Sequence, residues 1–83
     1  MTLNDLQIGQ FAKVLDTIIV FKLPNGEYDF ACEGQKLKSG KSPIDLKCEL
    51  ATKEQFIEAV NKADHQGDWY SMLLKDLMLK RFK

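Results

Sequence analysis

Residues 17–33 read TIIVFKLPNGEYDFACE. The stretch is two runs of β-branched, aromatic and alternating residues on either side of Asn25-Gly26. Asn-Gly is the strongest short hairpin signal, because both central residues of a type I′ turn need positive φ. With Asn25 and Gly26 as a two-residue loop, Leu23 faces Tyr28, Lys22 faces Asp29, Phe21 faces Phe30 and Ile19 faces Cys32. One face then collects Leu23, Phe21, Ile19, Tyr28, Phe30 and Cys32, and the other carries the opposite-charge pair Lys22 and Asp29. Pro24 lacks an N–H and suits an edge or non-bonded position.

Residues 43–50, PIDLKCEL, alternate with period two and predict a third strand. Returned antiparallel to 28–33 about Gly40, it sets Cys48 opposite Cys32, Leu50 opposite Phe30 and Lys47 opposite Glu33. A Cys32–Cys48 disulfide is open in that register; two reduced strand thiols are the other reading. The connection, GQKLKSGKSP over 34–43, is polar and reads as a solvated loop. Its Gly40-Lys41-Ser42 is not a phosphate loop: the glycine spacing is wrong, and a strand follows where that motif needs a helix N-terminus.

Upstream, Leu3, Leu6, Phe11, Val14, Leu15 and Ile18 share a helical face interrupted by Gly9. A short N-terminal helix is one reading. The other is a strand over 10–15 turning at Asp16-Thr17, which adds a fourth strand. Both put Phe11 and Leu15 in the core. Residues 6–13, LQIGQFAK, look like the opening of a helix-turn-helix protein, but the β-rich stretch that follows argues against it.

Thr52-Lys53-Glu54-Gln55 is a capping box ahead of Phe56 and predicts a helix from about residue 53 to 64, with Phe56, Ile57, Ala59, Val60 and Ala63 inward. Asp64-His65-Gln66-Gly67 ends it, and Asp68 is placed to cap a last helix over Trp69–Phe82. There Trp69, Tyr70, Leu73, Leu74 and Leu77 form one stripe, expected to pack on the sheet. Met72 and Leu79 lie on a second side, Met78 and Phe82 on a third. This surplus either packs on the N-terminal segment or forms a homodimer seam or partner site. Met72, Met78, Leu79 and Phe82 are therefore the candidate partner-binding residues.

The chain has 83 residues, 45% of them apolar, with 12 basic and 12 acidic side chains and one His. Residues 1–83 read as a single small domain with one core. The balanced charge argues against a dedicated nucleic-acid or membrane-surface binder. The alternative function, nucleic-acid binding, would use the loop lysines Lys36, Lys38 and Lys41 with the tail Lys80, Arg81 and Lys83, and would weaken steeply with salt. Asp64, His65 and Asp68 read as a surface turn rather than a metal site. With one His and no local motif, neither a Ser/His/Asp nor a Cys/His set can be assembled, so no enzyme, cofactor or metal is predicted. No basic n-region or long apolar run is present, and the expected setting is cytoplasmic and reducing.

The order of parts over about residues 18–82 resembles that of a small phage-encoded anti-CRISPR protein of the type I-F class. The parts are IIVF (18–21), Pro24-Asn25-Gly26, Gly40-Lys41-Ser42, DLKCEL (45–50) and Thr52-Lys53-Glu54-Gln55. That resemblance implies a protein that binds and blocks a host complex. The opening MTLNDL (1–6) and the Leu23-Pro24-Asn25-Gly26 stretch are similar to small phage tail assembly chaperones. The order over 44–63 also resembles the arm-binding domains of tyrosine integrases, which read DNA with a basic sheet face. Here that face would hold Lys22, Asp29, Glu33, Lys47 and Glu49, which are mixed in charge. The double-stranded RNA-binding domain shares an αβββα order, but Thr52-Lys53-Glu54 stands where its basic helix start belongs.

The expectation is an α+β fold: a three-stranded, or four-stranded, antiparallel meander covered on one face by two C-terminal helices, after a short N-terminal helical segment. The function expected is a non-enzymatic protein-interaction module of phage or mobile-element origin, an inhibitor or assembly factor that presents the last helix and the sheet edge to a protein partner, or the last helix to a second copy.

Overall fold

Pro24 decides the register of the central hairpin. A computed structural model describes residues 1–42, 44–65, 67 and 69–82. In it the Gly26 N–H donates to Leu23 O at 3.0 Å, and Leu23 N–H donates to Glu27 O at 2.8 Å. The loop is therefore three residues, Pro24 to Gly26. Pro24 supplies the fixed φ that a type I turn wants at its first central position, and Gly26 takes the left-handed one at φ 87°. Asn25 instead accepts from Glu27 N–H at 2.9 Å. The two-residue type I′ loop expected from Asn-Gly is corrected by one position. Strand β2 (Ile18–Lys22) and strand β3 (Tyr28–Cys32) pair Ile19 with Ala31, Val20 with Phe30 and Phe21 with Asp29.

A one-residue shift exchanges faces. Phe21, Ile19, Asp29 and Ala31 share one side, and Lys22, Val20, Ile18, Tyr28, Phe30 and Cys32 share the other.

The ambiguous N-terminus resolves as the strand alternative. Strand β1 (Phe11–Val14) pairs with β2, and the helical part shrinks to one 3-10 turn at Leu3–Asp5. Leu15 and Asp16 turn the chain with positive φ of 52° and 62°. That places Leu15 at an exposed hairpin tip rather than in the core.

The expected third strand lies elsewhere. Strand β4 (Lys38–Gly40), read from sequence as loop, takes the outer edge of β3, with Phe30 opposite Lys38. The nearest chain segment fills that edge first, as short connections favour. Strand β5 (Cys48–Ala51) then crosses to the far side and pairs with β1, with Val14 opposite Cys48. The sheet order is β4-β3-β2-β1-β5, all antiparallel. Cys32 and Cys48 are separated by β2 and β1, three strand spacings or roughly 14 Å. That is beyond disulfide reach, and both are free thiols. The proposed start of a strand at Pro43 lies outside the described residues.

Helix α1 (Lys53–Lys62) begins as its sequence says. Gln55 N–H donates to Thr52 Oγ1 at 3.1 Å, and Thr52 N–H donates to Gln55 Oε1 at 2.8 Å. It ends against the β3–β4 turn, where Gly34 N–H reaches Lys62 O at 3.0 Å. Helix α2 (Trp69–Lys80) follows. The cap assigned to Asp68 lies outside the described residues.

The result is an α+β fold with both sheet faces covered. The helices close one side over Ile19, Ala31, Leu37, Phe56, Val60 and Met78. On the other side Leu3 and Leu6 lie over Ala12, Val14, Val20 and Tyr28. The Tyr28 hydroxyl fastens this layer by donating to Leu3 O at 3.0 Å. Among the described residues no helix is long and apolar enough to cross a membrane.

Candidate functional site

Helix α2 is rotated from its expected phase. Ser71, Leu74 and Met78 are buried, and Leu79 and Phe82 pack against the helix-side core. Phe82 closes a four-ring cluster with Phe11, Phe21 and Phe56, in which every pair of centroids lies within 4.8–6.0 Å. One residue earlier, Arg81 Nε donates to the fully buried Asp29 Oδ2 at 2.8 Å, and Ser39 Oγ donates to Asp29 Oδ1 at 2.8 Å. These contacts fix the helix phase from its C-terminal end. Of the four candidate partner-binding residues, then, Met78 belongs to the core, Leu79 and Phe82 line its edge, and only Met72 faces out.

The stripe expected to pack inward faces solvent. Trp69 is 75% exposed, Leu73 45% and Leu77 46%, with Tyr70 beside them. The spacing i, i+4, i+8 aligns Trp69, Leu73 and Leu77 on one side of the helix. Only Leu74 of the expected inward set is buried. The sequence contained this stripe but not its direction, because α2 is apolar on nearly every side.

A second surface forms on the opposite side of the sheet. A groove of about 390 Å³ opens between β3, β4 and the side chains of Lys41, Ser42, Ile44 and Leu46. Ile18, Phe30, Cys32 and Leu46 make its apolar floor, and Lys36, Lys38 and Lys41 stand along it. Lys38 is opposite Phe30 in the ladder, so both leave the sheet on the groove face. Sequence reasoning named the three lysines but missed the floor, since the floor depends on the corrected register.

The six basic residues offered for nucleic acid are not one footprint. Lys36, Lys38 and Lys41 line the groove, while Arg81 is tied to Asp29 beneath the helices. Lys80 is exposed on α2, and Lys83 lies outside the described residues.

Among the described residues no group of three His, Cys, Asp or Glu side chains could hold a metal ion. His65 Nε2 lies 2.8 Å from Val60 O, so that nitrogen carries the proton and donates. The Cys48 thiol is pushed up by burial against the opposing pull of the Met1 ammonium, with Asp5 and Asp45 adding smaller upward effects, and the net rise disfavours the nucleophilic thiolate. On the surface of α1, Glu58 is held below the usual carboxylate range by its bond from Lys62, and Lys62 is raised in turn.

No known family model matches this chain, and comparison with curated proteins and with solved structures finds no similar one.

Proposed function

We propose that this chain is a non-enzymatic protein-interaction module that presents the outer face of α2 to a protein partner. One observation carries the reading: Trp69, Leu73 and Leu77 stand exposed in line, flanked by Tyr70 and Met72. Single exposed apolar residues need no explanation, but a contiguous set on one helix face does. Trp and Tyr are the side chains that most often anchor protein interfaces, and i, i+4, i+8 anchors suit a helix seated in an apolar groove. The far side of α2 is held by Phe82 and Arg81, so the face is presented on a fixed helix.

The test compares wild type with Leu73→Glu plus Leu77→Glu, after thermal melts establish that the variant folds. Affinity capture is run with and without nuclease, and sedimentation across concentration reads self-association. The expected result is a retained protein, or a dimer, that ignores nuclease and is lost in the variant. A variant that behaves as wild type, or capture abolished by nuclease, overturns the reading.

A further inference from the structure

The groove on the side of the sheet away from α2 has a composition that selects a ligand. Its floor is apolar: Ile18, Phe30, Cys32 and Leu46, with the exposed Ile44 as a wall. Its charged lining is of one sign. In a chain with 12 basic and 12 acidic residues, three lysines and no Asp or Glu line this groove among the described residues. Lys36 is engaged by Asp64 at 3.5 Å. Lys38 and Lys41 have no ion-pair partner among the described residues. The volume of about 390 Å³ falls within the range of small-molecule sites.

We infer that this groove binds a small amphipathic anion: a free molecule with an apolar chain and one terminal carboxylate. The chain would lie over Phe30, Ile18 and Leu46, removing apolar surface from water on both sides. The carboxylate would meet the ammonium groups of Lys38 and Lys41. A nucleic acid fits less well, because the floor offers apolar side chains where a phosphate backbone needs a charged track. The inference is independent of the α2 surface, which lies across the sheet.

Dodecanoate below its micelle concentration is the probe, with dodecanol as the uncharged control. Binding is read by calorimetry and by iodoacetamide alkylation of Cys32, scored by peptide mass mapping so that Cys48 is followed separately. The expected result is dodecanoate binding that slows alkylation at Cys32 several-fold and leaves Cys48 unchanged. Lys38→Glu plus Lys41→Glu should weaken dodecanoate by roughly five- to thirtyfold, as two exposed charge pairs allow. Leu73→Glu plus Leu77→Glu should bind it as wild type does. Dodecanol binding as tightly as dodecanoate, unprotected Cys32, or loss of binding only in the α2 variant would each overturn the inference.

Discussion

Arg81 reaches Asp29 across 2.8 Å and joins the last turn of the chain to the middle of the sheet. Asp29 is fully buried while Arg81 is 38% exposed, so the pair is buried at one end and hydrated at the other. Removing the guanidinium strands a carboxylate that retains only the Ser39 hydroxyl of the two side-chain partners described here. Arg81→Met should cost about 2 kcal/mol by urea denaturation, less than a fully buried pair loses when broken, because Arg81 is partly in water. Asp29→Asn placed on top should restore part of that loss, giving a coupling of about 1 kcal/mol in a double-mutant cycle. Additive losses would mean that the pair carries no interaction energy of its own.

The phase of α2 is tested by two neighbours. Met78 is fully buried and Leu77 is half exposed. Met78→Ala should destabilise by about 2–5 kcal/mol through lost burial and a cavity. Leu77→Ala should stay within about 0.5 kcal/mol, the range of surface changes. The reverse order would put the helix back in the phase expected from its Trp69–Leu77 stripe.

Leu15 sits at φ 52° with its side chain 66% exposed, so it bears the left-handed penalty and contributes little packing. Asn tolerates this region better than Leu. Leu15→Asn should raise stability by about 1 kcal/mol, and the β-branched Leu15→Val should lower it. Thermal melts of both decide the matter; equal melting temperatures would show that the tip relaxes without cost.

Asp5 is held below its ordinary value, chiefly by the Thr2 backbone N–H that donates to it at 2.9 Å. A depressed carboxylate binds its proton less readily folded than unfolded. Its contribution is therefore complete above the ordinary carboxylate range and is lost as pH falls through the lowered folded value. The melting-temperature gap between wild type and Asp5→Asn should be widest near neutral pH and close as pH falls below the ordinary carboxylate range. A gap that does not change with pH would assign the effect to the hydrogen bond rather than to the charge.

Local signals were legible where the answer depends on a few neighbouring residues. The Thr52–Gln55 capping box fixes the start of α1 because both partners lie within one helical turn. The hairpin at Asn25-Gly26 was equally visible. Its register was not, because the choice between a two- and a three-residue loop turned on Pro24 pre-setting a type I turn. That single step moved Phe30 and Cys32 to the groove face and Asp29 beneath the helices, which made both the groove floor and the Arg81 contact unreadable in advance.

The α+β class, the two C-terminal helices, the central hairpin and the lysines of the 36–41 stretch can all be read from neighbouring residues along the chain. Periodicity, caps and turn residues act over a few positions, and their energies are local. The pairing of β5 with β1, the separation of Cys32 from Cys48 and the side of α2 that faces water depend instead on contacts between distant parts of the chain. A helix apolar on nearly every side has no preferred direction of its own. Its phase was set by partners distant in sequence, Asp29 for Arg81 and the Phe11, Phe21 and Phe56 rings for Phe82.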